Sequence, residues 1–161
     1  MKLSYSELHY FRSTLQELMP SPYIQEMQSY VHHGQTSCLE HCLFVAYFSY
    51  FLTVRLHLNL DAKSIIRGAL LHDFFLYDWH IKGERTGLHG FSHPRAALKN
   101  AEKYFSLNDK EKDIILNHMW PLTLRFPRFK ESYIVSLADK YCSILETLKK
   151  VPPSIMSLQL P

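Results

Sequence analysis

Apolar residues recur at helical spacing along most of the chain. In residues 4–19, an apolar stripe is formed by Leu8, Phe11, Leu15 and Leu18. A second amphipathic segment follows over residues 23–32, and no pair of segments gives a convincing hairpin signal. We therefore expect an all-α fold that begins with N-terminal helices within residues 4–32.

The next helix is predicted to lie at the centre of the fold. It begins at Ser37, which forms a capping box with Glu40, and it continues to about Leu58. Its middle, residues 43–48, is apolar on all sides, a pattern typical of a buried helix. The apolar run is too short to cross a bilayer, so we expect no membrane association.

The remaining helical segments complete a core over residues 36–150. They cover residues 62–75, 93–105, about 108–118 and about 130–150. The predicted core stripe of the last segment consists of Ile134, Leu137, Ala138, Tyr141, Leu145 and Leu148. With a short tail over 151–161, residues 1–161 should form a single domain, a compact bundle of six to seven helices.

Composition excludes several classes of protein. The net charge of +3 is too small to indicate stable nucleic-acid binding. Three cysteines cannot form a disulfide framework, and they fit a reducing compartment. The first residues lack the apolar core of a signal peptide. We therefore expect a cytoplasmic protein.

The chemistry of the chain centres on His72 and Asp73, which end a strongly apolar helical segment. Neighbouring residues on a helix diverge by about 100°, so both can face inward only if the helix is apolar over a wide arc. Ile66, Ala69 and Leu70 provide that arc. An imidazole and a carboxylate in such a setting need a partner, and a metal ion would satisfy both.

Five predicted helices each contribute a potential metal ligand. In chain order these residues are His41, His72 with Asp73, His93, His118 and Asp139. Imidazole and carboxylate donors suit Mn, Fe, Co, Ni or Zn. A carboxylate such as Asp73 can bridge two metals about 3.5–4 Å apart, which can activate a water. His89, four residues before His93, is a rival for the same ligand position.

This order of residues resembles the HD-domain metal-dependent phosphohydrolase superfamily in its six-ligand, dinuclear form, over roughly residues 36–143. The resemblance implies that one metal is held by His41, His72, Asp73 and Asp139. Asp73 would bridge to a second metal, which is completed by His93 and His118. Two features depart from the family pattern. Met119 follows His118 where some dinuclear members have a second histidine, and the absence of Gly-Tyr-Pro disfavours the cyclic-dinucleotide phosphodiesterase branch.

The resemblance implies hydrolysis of a phosphate ester of a small molecule or nucleotide, by a hydroxide that bridges the metals. The expected catalytic residues are Asp73, His72 and Lys82, and the expected phosphate-binding residues are Lys82, Arg85, Arg95 and Arg125. Three glycines in residues 76–92 predict a lid that closes over substrate. Two alternatives stay open, namely a dinuclear iron oxygenase with the same ligands and a metal-containing ligand-binding module.

Overall fold

Seven α-helices and one short strand pair form the computed structural model of this chain, which describes residues 2–33, 36–78 and 89–150. The helices are α1 (Tyr5–Leu15), α2 (Pro22–Glu26), α3 (Cys38–Arg55), α4 (Ala62–Leu71), α5 (His89–Tyr104), α6 (Asp109–Asn117) and α7 (Lys130–Thr147). The strands are β1 (Val31–His33) and β2 (Thr36–Ser37), which pair antiparallel. The predicted all-α class is confirmed. None of the helices in these ranges is long and apolar enough to cross a membrane.

Helix α3 lies at the centre of the bundle. Most of its side chains are buried, and it packs against both α4 and α7. The predicted capping box starts it, because the backbone N–H of Glu40 donates to Ser37 Oγ and that of Ser37 donates to Glu40 Oε2. This placement brings residues of the first turn of α3 close to α7.

Helices α4 and α6 pack closely at Gly68. A Cβ at this position would lie 2.8 Å from Ile114 Cδ1, so the glycine permits the approach of the two helices. Arg67 and Glu111 join the same helices through a buried ion pair of 2.6 Å. Helices α4 and α6 are therefore held against each other, and each is followed by a histidine.

The segment before α3 differs from the predicted helix over residues 23–32. Helix α2 and a 3-10 turn (Met27–Ser29) end early, and β1 then runs alongside β2. Tyr30 and Val31 favour extended backbone, and the carbonyl of Tyr30 accepts the N–H of Cys38. Pairing with the start of α3 therefore replaces the last helical turn, which places His32 on a strand.

Three further boundaries or faces were predicted wrongly. Helix α4 ends at Leu71 instead of at residue 75, so His72 is its C-cap and Asp73 lies beyond it. Helix α5 begins at His89 instead of at His93, with Pro94 inside the helix. Helix α7 is rotated relative to the predicted stripe, since Leu137 is 61% exposed and Leu148 is 56% exposed. Its buried face instead includes Ser132, Val135, Ala138, Asp139, Cys142 and Glu146. The helix turns Asp139 and Glu146 inward because both contact His41 on α3. The predicted tail, 151–161, lies outside the described residues.

Candidate metal centre

All six predicted ligands are buried and lie around one point of the bundle. His41 is in the first turn of α3, and Asp139 is in the middle of α7. His72 and His118 occupy the C-cap positions of α4 and α6, and His93 is near the start of α5. Rigid helices and their ends therefore hold the donors, so the geometry of the cluster is fixed by the packing of the bundle.

Asp73 lies at the centre, and its two carboxylate oxygens face different imidazoles. Oδ2 lies 2.8 Å from His32 Nε2 and 3.4 Å from His72 Nε2. Oδ1 lies 3.1 Å from His93 Nε2 and 3.5 Å from His118 Nε2. Each oxygen of this one carboxylate is thus directed at its own pair of ring nitrogens.

The tautomers of His72 and His118 are fixed by the same local contact. In both residues Nδ1 donates to the carbonyl three residues earlier, Ala69 at 2.7 Å and Ile115 at 2.8 Å. A helix end leaves these carbonyls without a helical partner, so they are available to accept. With Nδ1 protonated, the lone pair of each neutral ring is on Nε2, which faces Asp73.

His41 connects α3 to α7 through two carboxylates. Its Nε2 lies 3.2 Å from Asp139 Oδ1, and its Nδ1 lies 2.9 Å from Glu146 Oε2. Asp139 Oδ1 also approaches His72 Nε2, at 3.8 Å. His41, His72 and Asp139 thus form a second cluster that adjoins the Asp73 cluster through His72.

The electrostatics follow from this concentration of buried charge. Burial lowers the pKa of His72, but the negative charge of Asp73, together with the nearby Cys42 and Asp139, more than offsets this effect and raises the pKa to about 9. Burial, reinforced by the charge of His72, lowers the pKa of His118 to about 3. Burial raises the pKa of Asp73, yet the neighbouring imidazoles hold it well below its ordinary value. Without a metal, the cluster therefore contains a protonated His72 between ionised carboxylates.

The donors fit a metal ion. Ligand atoms within 4.8 Å of one another occur in three groups: His32, His41 and Glu146; His41, His72 and Asp139; and His72, Asp73 and His118. Within the described residues, His72 Nε2 and Asp73 Oδ1 are buried without a hydrogen bond of good geometry. Buried polar atoms in proteins are normally paired, so two such atoms at the focus of the cluster match a site that binds a cation. The nitrogen and oxygen donors suit a divalent transition metal.

An open cavity of about 430 Å³ lies beside the cluster. Its lining includes Asp73, His93, His118 and Asp139, together with the apolar side chains of Met119, Leu122 and Ile144. Lys140 also lines it, and its Nζ donates to the carbonyl of His118 at 2.8 Å. The donors are therefore accessible from one side, where a small molecule can reach them.

The two predicted phosphate-binding residues that the structure describes do not line this cavity. Arg95 and Arg125 are exposed, and neither lines it. Lys82 and Arg85, with most of the predicted lid, lie outside the described residues, and so does the side chain of His89. These assignments remain predictions, as does the choice of His93 over His89 as a ligand.

Sequence reasoning missed two residues of the centre, His32 and Glu146. His32 was assigned to a helix, and its contact with Asp73 spans 41 positions, which no local pattern reveals. Glu146 did carry a signal, because it lies seven residues after Asp139 and hence on the same face of α7. The prediction instead followed the apolar residues of α7, several of which the structure leaves exposed.

Comparison with protein families gives one match. The HD domain family matches residues 38–144, a segment that contains His41, Asp139 and every predicted ligand between them. His32 and Glu146 lie just outside it. Searches of curated proteins and of solved structures found no significant match. Because the match covers most of the chain and the His72–Asp73 pair lies at the centre of the cluster, this chain belongs to the HD domain family.

Proposed function

We propose that this protein is a phosphohydrolase that uses two divalent transition metals to cleave a phosphate ester of a small molecule or nucleotide. HD domain membership implies a metal-dependent hydrolase. The observation that carries the finer proposal is the arrangement of Asp73 beside an open cavity, because its Oδ1 faces His93 and His118 whereas its Oδ2 faces His72 and His32. A carboxylate arranged in this way can direct one oxygen at each of two metals.

The donors divide into two sets around Asp73. One metal would be held by Asp73 Oδ2 and by the side chains of His41, His72 and Asp139. The other would be held by Asp73 Oδ1, His93 and His118. When bound, the metals would supply the Lewis acidity for attack of water on phosphorus. The second set has only three protein donors, which leaves room for water or substrate.

The residues of the chain would orient the substrate and exclude competing water. Lys140 lines the cavity wall, with its ammonium group donating to the carbonyls of His118 and Ser136, and no other lysine or arginine of the described residues lines that wall. Its charge favours an anionic ligand. Met119, Leu122 and Ile144 would contact the part of the substrate that does not react. Hydrolysis breaks the ester P–O bond, and water supplies the oxygen and protons of the products.

A phosphatase screen of the reconstituted protein tests this proposal. Apoprotein is loaded anaerobically with Mn²⁺ or Co²⁺ and incubated with p-nitrophenyl phosphate, bis(p-nitrophenyl) phosphate and a panel of nucleotides. Phosphate or nitrophenol release should require the metal and should be lost in Asp73→Ala. Lys140→Gln should raise KM more than it lowers kcat, because it removes a charge that attracts the substrate.

The same preparation separates the proposal from its alternatives. An oxygenase would need Fe and O₂ for turnover and would release no phosphate from any ester, and oxygen uptake would identify it. A binding module would hold metals in a closed, saturated site. The open cavity beside His93 and His118 favours an enzyme over that module.

A further inference from the structure

We infer that Glu146 is a positioning residue for the metal centre, acting through His41. Its carboxylate would accept the Nδ1–H of His41 and so keep the Nε2 lone pair directed at the metal held with His72 and Asp139. This inference rests on metal binding, as proposed above, but not on which ester is cleaved.

The contact is short, buried and formed across the bundle. Glu146 Oε2 lies 2.9 Å from His41 Nδ1, and the two residues are 105 positions apart. The side chains are 1% and 0% exposed, respectively. A carboxylate buried to this degree is costly unless it has a charged or strongly donating partner. Among the described residues, His41 is the hydrogen-bond partner of Glu146, and Oε1 has none.

Chemistry explains why this position needs a carboxylate. An imidazole that binds a metal through Nε2 usually donates its Nδ1–H to an acceptor, which fixes the tautomer and strengthens the ring as a ligand. His72 and His118 use neutral backbone carbonyls for this purpose. His41 lies in the first turn of α3 and uses the charged Glu146 instead, so His41 should be the strongest imidazole donor of the three.

An alternative role for the same atoms would be to bind a third metal ion. Donor atoms of His32, His41 and Glu146 lie within 4.8 Å of one another. Such an ion would need both ring nitrogens of His41 to bind metals, so the ring would have to lose both of its protons. The 2.9 Å approach of Oε2 to Nδ1 is instead the length of a direct hydrogen bond. The geometry therefore favours positioning of His41 over a third site.

Co²⁺ titration of the wild-type protein and of Glu146 variants tests the inference. Glu146→Gln keeps the size and a neutral acceptor, whereas Glu146→Leu removes the acceptor. For one of the bound ions, we expect Kd to rise about 10-fold in Glu146→Gln and about 100-fold in Glu146→Leu, the range typical of such partners. The visible spectrum of bound Co²⁺ should change as well, because the orientation of His41 changes.

Glu131→Gln provides a matched control on the same helix. Glu131 is also a buried glutamate, but it pairs with Lys110 at 2.7 Å and does not contact the cluster. Its variant should bind Co²⁺ with the affinity and spectrum of the wild type. If Glu146→Leu fails to fold, Glu146→Gln alone decides the result, since it is the less disruptive change.

Three results would overturn the inference. Wild-type Kd and Co²⁺ spectrum in Glu146→Gln and Glu146→Leu would mean that Glu146 does not act on the metal. An equal rise of Kd in Glu131→Gln would mean that general destabilisation explains the effect. Three ions per wild-type chain and two in Glu146→Gln would make Glu146 a ligand. Failure of the proposed function would be seen in a different experiment, the phosphatase screen, in which the metal-loaded wild-type protein would cleave no ester.

Discussion

The close packing of α4 on α6 should couple the fold to the metal centre, and Gly68→Ala tests this coupling. An added Cβ would lie 2.8 Å from Ile114 Cδ1, 3.0 Å from Cγ2 and 3.1 Å from Cβ. Rotation of the Ile114 side chain can move Cδ1, but its Cβ is fixed to the backbone of α6. The helices must therefore separate by several tenths of an ångström. His72 and His118 follow these two helices, so the same movement should separate their ring nitrogens.

The expected change in the free energy of unfolding is the sum of two opposing effects. Overpacking of a close-packed core costs about 1–3 kcal/mol. Replacing a glycine inside a helix by alanine contributes about 0.5–1 kcal/mol in the other direction. We expect Gly68→Ala to be destabilised by about 1–2 kcal/mol, because the clash involves atoms near the backbone as well as the end of a side chain.

Urea unfolding of the apoprotein measures this effect, and Co²⁺ titration of the folded protein measures its consequence for the centre. Gly90→Ala is the control, since its Cβ would meet Leu122 and Met119 only at 3.6 and 3.7 Å, which is ordinary contact. In a double-mutant cycle, Ile114→Val should recover part of the loss in Gly68→Ala by removing Cδ1. A Gly68→Ala protein as stable as the wild type, with unchanged metal affinity, would mean that the close approach of α4 to α6 does not support the metal centre.

Three further predictions concern single residues. His118→Ala should lose one metal per chain and keep the other, as elemental analysis will show; loss of both would argue against two separate sets of donors. Metal affinity should rise by at least about tenfold per pH unit toward pH 9 in titrations at several pH values, because binding must displace the proton of His72, whose pKa is about 9 since burial is outweighed by the charge of Asp73 and its neighbours, and also that of His41, whose pKa is raised, despite burial, by Asp139 and Glu146. Arg67→Met should destabilise the protein by about 3–5 kcal/mol in urea without changing metal content, since it leaves the buried charge of Glu111 unpaired; a loss below 1 kcal/mol would contradict it.

Local sequence signals predicted much of the framework. The capping box at Ser37 was predicted, and side-chain caps at Asp61 and Asn108 likewise start helices close to the predicted positions of residues 62 and 108, because capping depends on residues within one turn. The apolar middle of α3 predicted its central position, since a helix apolar on all sides must be buried. The six donor positions, which local patterns place at helix ends or within helices, also come together in the structure.

The errors arise where a distant contact decides the structure. Residues 31–33 form a strand because they pair with residues that precede α3, and His32 then reaches Asp73. Helix α7 buries Asp139 and Glu146 instead of Leu137, because polar partners on α3 outweigh the apolar stripe. A rule that places apolar residues inside fails for a helix that builds a buried polar centre.

Metal content of the anaerobically purified and reconstituted protein tests whether the chain holds two metals through Asp73. We expect two divalent transition metals per wild-type chain and none in Asp73→Ala, because Asp73 would serve both ions. Elemental analysis with the protein concentration determined independently gives this ratio. A single metal per wild-type chain would contradict the dinuclear centre, and a full complement in Asp73→Ala would contradict the role of Asp73.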